Sequence, residues 1–369
     1  MDQENFDFEL PEDLQDVEII YCDNEEEFDE AGDVEGEYEE VEDLSIYTFA
    51  KHEKSVFAIA VSPDDKYIVT GSEDDMAYVW DVETKEILIT CSGHNDSVTQ
   101  VGFNHNGKYV STADMSGMIQ VWNMEDRNLV WGNEMEDLEW LQWHPVANVL
   151  IGGYNSGLIH IWQVPGGNFK TLPSHGQISS CGKILPDGVR LVAGYGDGQV
   201  KLWDMKTTSL LWKITVSNDA ITALDLNSDG TLLGIAPVSQ LVLTSDGRGV
   251  VNLKSDDKND VEGILISSEL GVIVTGSISG EICLWNLAKH ILRHKINIGC
   301  AVTVIKLGRN GNIFIGATGG SIYECDVVSG TITKVLTGHV DDILDIAVPK
   351  SGNKIISASD DGSVKIFNI

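Results

Sequence analysis

Ser, His and Asp are the residue types of a hydrolytic triad, and they stand together twice in this chain. His52, Ser72 and Asp74 precede Trp80, and His339, Ser359 and Asp361 precede Phe367. In a triad the imidazole takes a hydroxyl proton while the carboxylate orients the imidazole. The recurrence argues for another role. A set that returns at fixed offsets within a repeating unit belongs to the scaffold of that unit. There the Asp accepts a hydrogen bond from the His, and the hydroxyl bridges the His to the Trp indole, so buried polar groups are satisfied. In a second unit Asp114 and Ser116 exchange places, so its lattice is expected to differ.

The other chemical signals are weaker. Gly194-Tyr-Gly196-Asp-Gly198 resembles a phosphate loop, but it reads as a β-hairpin before Lys201-Leu-Trp203 with no helix to follow. His290 and His294 read as an outer strand, where four residues span roughly 13 Å, too far for one ion. The six cysteines (22, 91, 181, 283, 300 and 325) are scattered, as in a reduced chain with structural thiols. The expectation is a protein without catalytic site, metal or cofactor.

What positions these residues is a repeat. Trp80, Trp122, Trp162, Trp203 and Trp285, with Cys325 and Phe367 at equivalent places, are spaced by 42, 40, 41, 82, 40 and 42 residues. The gap of 82 hides a degenerate unit whose anchor falls near Leu243. A second marker fixes the register, since His52, His94, His175 and His339 each precede their anchor by 28 residues. A period near 41 residues is that of WD repeats, each folding as one four-stranded propeller blade. The fold class expected is therefore all-β, a WD40 propeller over residues 45–369, most simply of eight blades. Seven blades follow if the unit near Leu243 is a long insertion. The last unit lacks its fourth strand, and the unassigned apolar-alternating segment 45–49 supplies it, closing the ring.

Ahead of the repeats lies an acidic arm, residues 1–44, which holds 21 of the 58 acids and precedes the first base, Lys51. At this charge density it cannot bury enough apolar surface to offset its ordering entropy and reads as disordered. A solubilising tail is the simplest role, and a lure for a basic partner is the other. Its segment Val17-Glu-Ile-Ile-Tyr21 is the best suited to dock as an added strand. The net charge of −34 excludes binding of nucleic acid through phosphate neutralisation and disfavours an acidic membrane face. No apolar run is long enough to span a bilayer, and no secretory signal opens the chain. The chain reads as a monomer of the cytosol, with the nucleus a further compartment, and its favoured partner is a basic protein or peptide.

In the repeat register, the positions that face one end of the ring are three and five residues after the His, and the residue before the hairpin Asp. They give Ser55, Phe57 and Glu73 in unit one and Asp137 and Glu139 in unit three. They give Asp260 and Glu262 in unit six, and Asp342, Leu344 and Asp360 in unit eight. No base occupies any of them. Charges on an inner strand lose water and need a reason to be there, which a cationic peptide laid across that face would supply. The expected partner-binding set is Glu73, Asp137, Glu139, Asp260, Glu262, Asp342 and Asp360, with Phe57 and Leu344 as apolar contacts.

Ala113-Asp-Met-Ser-Gly117, Asp137-Leu-Glu-Trp-Leu-Gln-Trp-His-Pro145, Leu185-Pro-Asp-Gly188 and Val192-Ala-Gly-Tyr195 resemble the angio-associated migratory cell protein family. The resemblance runs over the whole chain, with the block at Asp137 the most specific. It implies a cytoplasmic and partly nuclear propeller. By the same resemblance the fungal relative looks like a dedicated escort for a basic large-subunit ribosomal protein, which would grip the N-terminal segment of that client on an acidic top face. Mammalian relatives are associated with cell migration, so a signalling scaffold docking several proteins is the alternative function.

Overall fold

A computed structural model describes residues 42–253, 261–309 and 311–369. The acidic arm up to residue 41 and Asp260 lie outside the described residues, and so do the expectations that rest on them. The described chain forms eight four-stranded antiparallel sheets. Seven are built from consecutive strands, such as Val56–Val61, Tyr67–Ser72, Ala77–Asp81 and Ile87–Cys91 in blade 1. In blade 8 the strands Ile343–Ala347, Lys354–Ser359 and Val364–Asn368 are completed by Tyr47–Phe49, with Tyr47 opposite Ile366 and Phe49 opposite Val364. The N-terminal strand thus closes the ring, as the sequence predicts. The degenerate unit is a true blade, with Leu243 ending its third strand, Gln240–Leu243.

Alternating Val and Ile on successive strands leave each sheet apolar on both faces, so blades stack on one another. There are eight core clusters, one at every junction between neighbouring blades. The repeat anchors sit at these junctions. Trp80 lies in the cluster between blades 8 and 1, stacked on Phe49 of the closing strand at 4.8 Å between ring centroids. Truncating Phe49 would cost about 3–5 kcal/mol, since it empties the seam that closes the ring. Closure gives every blade a neighbour on both faces and leaves only short strand edges unpaired.

Candidate functional site

The histidine lattice is real, but one of its members is misassigned by sequence. His52 Nδ1 lies 3.1 Å from Asp74 Oδ2, and its Nε2 lies 2.8 Å from the hydroxyl of Thr70, not of Ser72. Blade 8 repeats this pairing in full: His339 Nδ1 reaches Asp361 at 2.8 Å and its Nε2 reaches Ser357, not Ser359, at 2.8 Å. Ser72 and Ser359 instead serve the hairpin. Each hydroxyl accepts the N–H of its Asp, at 3.1 and 3.2 Å, and donates to the carbonyl of Lys54 or Asp341. The reason is strand geometry, because two residues along a strand move a side chain by about 7 Å on the same face. No hydroxyl reaches the Trp80 indole, whose N–H has no partner among the described residues.

Blade 2 keeps the same pairing, against expectation. Asp114 stands two residues nearer the strand, yet His94 still holds it at 3.2 Å and holds Thr112 at 2.8 Å. The exchange with Ser116 changes only where the carboxylate comes from. Because a carboxylate only accepts, Nδ1 of these rings carries the hydrogen. Burial holds the His52 imidazole below its ordinary pKa despite the Asp74 charge, leaving Nε2 free to accept from Thr70. Thr70, His52 and Asp74 therefore have the arrangement of a triad, but Thr70 is 0% exposed, so no substrate can reach its hydroxyl. In Asp361 burial works upward, and hydrogen bonds from His339 and Ser363 outweigh it, holding the carboxyl well below the carboxylate range.

His290 lies in a turn with φ 55°, not on the outer strand, and His294 Nε2 is occupied by the Val328 carbonyl at 3.1 Å. Among the described residues no group of three His, Cys, Asp or Glu could hold a metal.

The acidic positions come together at the start of the inner strands. In seven blades the inner strand carries one residue without a ladder partner at the same place: Phe57, Thr99, Glu139, Ser180, Glu262, Thr303 and Leu344. These are β-bulges, which re-aim a side chain out of the ladder. In six blades they coincide with the position five residues after the repeat histidine or its equivalent, and in blade 7 the bulge falls one residue later, at Thr303. Beside them the backbone of a hairpin is tied to the entry loop of its own blade, as where Glu73 N donates to Ser55 O and Asp360 N to Asp342 O, each at 2.9 Å. Glu139 and Glu262 thus sit at the same end of the ring as Asp137, Asp342 and Asp360.

Their partners differ. Asp137 accepts from the Asn155 amide at 2.8 Å, Asp342 from the Gly319 N–H at 2.8 Å, and Asp360 from the Ser55 hydroxyl. Glu73 has a cation already, Lys54 at 3.5 Å, and so is a weaker candidate than sequence implies. Among the described residues no Lys or Arg pairs with Asp137, Glu139, Glu262, Asp342 or Asp360. Phe57 and Leu344 are half-buried beside them. Between blades 2 and 3 a hollow of about 400 Å³ opens, lined by Asp96, Thr99, Gln100, Met115, Asp137 and Glu139. Burial raises the Glu139 carboxyl above the ordinary glutamate value, and the Asp137 charge adds to it. Asp96 lies outside the three register positions read per unit, and the half-exposed Met115 stands at one of them but was passed over because only acids and large apolar residues elsewhere drew notice.

Farther along the inner strands the acids are matched. Asp225 holds Lys183 of the preceding blade at 3.4 Å and accepts the Ile266 N–H of the following blade at 2.7 Å. Asp345 does the same with Lys306 at 2.9 Å and the Ile59 N–H at 3.2 Å. Each aspartate therefore staples three blades.

Comparison with known proteins agrees with this architecture. The model of the WD domain, G-beta repeat, matches residues 44–81, 85–123, 166–204 and 330–368. The human angio-associated migratory cell protein is 32% identical over 348 residues, covering 88% of this chain and 80% of that protein. The ribosome assembly protein SQT1 of Saccharomyces cerevisiae is 25% identical, covering 88% of this chain and 86% of its own. Among solved structures, Chaetomium thermophilum Sqt1 bound to the N-terminus of the ribosomal protein L10 superposes with a TM-score of 0.80 at 18% identity, over 89% of this chain and all of that one. Length covered, identity and the repeat pattern agree, and this chain belongs to the angio-associated migratory cell protein family.

Proposed function

We propose that this chain is a non-enzymatic escort that holds the basic N-terminal segment of a large-subunit ribosomal protein across its acidic channel mouth. The carrying observation is a set of carboxylates, Glu139 and Glu262 foremost, presented on bulges with no cation paired to them among the described residues. Arginine would pair bidentately with such carboxylates, and the summed negative field would steer a cationic segment toward them. The relatives support the reading, since one is named for ribosome assembly and another is solved with the N-terminus of a ribosomal protein. While held, the client is kept from RNA, its competitor for basic side chains. That work belongs in the cytoplasm, where ribosomal proteins are made.

The test is capture of ribosomal proteins from cell extract by the full chain at low and at high salt. The reading expects one basic large-subunit protein, retained at low salt and lost from the Glu139→Lys/Glu262→Lys double variant. Capture of cortical or signalling proteins instead, unaffected by those reversals, would favour a migration scaffold.

A further inference from the structure

Blade 3 departs from its neighbours in a way that leaves a polar group stranded. Six residues, 92–97, lead from Cys91 into the inner strand of blade 2, and six, 173–178, lead into that of blade 4. Only three, residues 135–137, lead from Glu134 into that of blade 3. The place of the lattice histidine, 28 residues before Trp162, falls to Glu134 at the end of the outer strand. Gly117, at φ 90°, lets this short loop cross, since a Cβ there would lie 2.0 Å from the Glu136 carbonyl oxygen.

Blade 4 shows what the loss does. Its second strand also ends in tyrosine, Tyr195, but there His175 packs edge-on at 4.7 Å and the Trp203 indole donates to the phenol at 3.3 Å. Tyr154 ends the equivalent strand of blade 3 and is 1% exposed, yet its hydroxyl has no partner among the described residues. It lines a hollow of about 260 Å³ with Met135, Glu136 and His160, on the outer side of the loop that also bounds the mouth hollow. His160 Nδ1 is taken by the Thr171 hydroxyl at 2.9 Å, and its ring meets Tyr154 edge-on at 5.1 Å.

We propose that this hollow is a socket for one arginine side chain of a peptide bound on the top face, a proposal that rests on the basic-client reading above. The Glu136 carboxylate, with Asp137 next to it, sets the sign of the occupant. A thioether and two aromatic rings suit a flat guanidinium, which stacks where an ammonium stays hydrated. The stranded phenol, whose oxygen is covered in the free protein, becomes the acceptor once the short loop at Met135 and Glu136 parts around the incoming side chain. A buried hydroxyl without a partner lowers stability, a cost that a bound guanidinium would remove.

Full-length protein, titrated with octa-arginine and octa-lysine at fixed ionic strength, tests this through Tyr154→Phe, which removes one oxygen and keeps the ring. The variant is expected to melt at or above the wild-type temperature. It should bind octa-arginine about tenfold more weakly, as for loss of one hydrogen bond to a charged group. Its affinity for octa-lysine should be unchanged. Glu136→Gln should lose the same arginine preference, which guards against a packing artefact in the first variant. Arginine preference intact in both variants, or a lower melting temperature with binding unchanged, would show a merely structural hollow while leaving the client reading standing. Failure of the wild type to bind either peptide would overturn both.

Discussion

Two sets of carboxylates stand on the inner strands of different blades and are treated in opposite ways. Asp225 and Asp345 each hold a lysine from the blade before and a backbone N–H from the blade after, which is what buried charge requires. Glu139 and Glu262, on the bulges at the strand starts, have no cation among the described residues, although Lys183 and Lys306 show that the channel can supply one where it is needed. The difference separates acids that hold the ring together from acids left for something else. Unmatched charge that crowds its neighbours, as Asp137 crowds Glu139, costs the folded protein and is relieved by a bound cation.

The largest effect should come from reversing the unmatched pair. Glu139→Lys with Glu262→Lys is expected to cost on the order of 2–5 kcal/mol in binding of a basic peptide if the pairs formed are buried, with little change in melting temperature. Calorimetric titration and a thermal scan on the same samples check both halves. Asp345→Ala should do the opposite. It strands Lys306 and the Ile59 N–H, so urea denaturation should show a loss of roughly 1–3 kcal/mol while peptide affinity holds. A similar binding loss in both variants would erase the distinction between the two sets.

Acid separates the sets more gently. Burial and the Asp137 charge raise the Glu139 carboxyl above the ordinary glutamate value, so its charge, and with it cation binding, weakens first as pH falls from neutral toward the carboxylate range. Asp361 titrates below the ordinary aspartate value. Its contribution to stability is fully present above that value and is lost only as pH falls from there toward the depressed folded one. Peptide affinity should therefore decline on acidification before the melting temperature does. The smallest contrast lies within the lattice, where Thr70→Val and Ser72→Ala should each destabilise by about 1–2 kcal/mol, but only Thr70→Val should shift the His52 ring-nitrogen signals in an NMR spectrum. A shift of the same size in Ser72→Ala would return Ser72 to the role that sequence gave it.

The fold was legible because its signals are periodic. A repeat near 41 residues with two markers in one register predicts the blades, the closing strand and even the degenerate blade whose anchor falls at Leu243. The site was legible in part. Positions five after the histidine proved to be bulges, which a register can locate but whose unpaired geometry it cannot show. The lattice hydroxyl was missed by two residues, although Thr70, Thr112 and Ser357 all lie 18 after their histidines and the signal was present. The shortened entry to blade 3 left only the absence of a histidine in the sequence. That a tyrosine hydroxyl would be stranded by it depends on packing.

The most direct test is titration of the full chain with a synthetic peptide of the N-terminal segment of ribosomal protein L10, at low and high ionic strength, beside the Glu139→Lys/Glu262→Lys variant. The account predicts tight binding at low salt that weakens as salt screens the charges, and little binding by the variant at either. Equal affinity for the peptide before and after the reversals would contradict it.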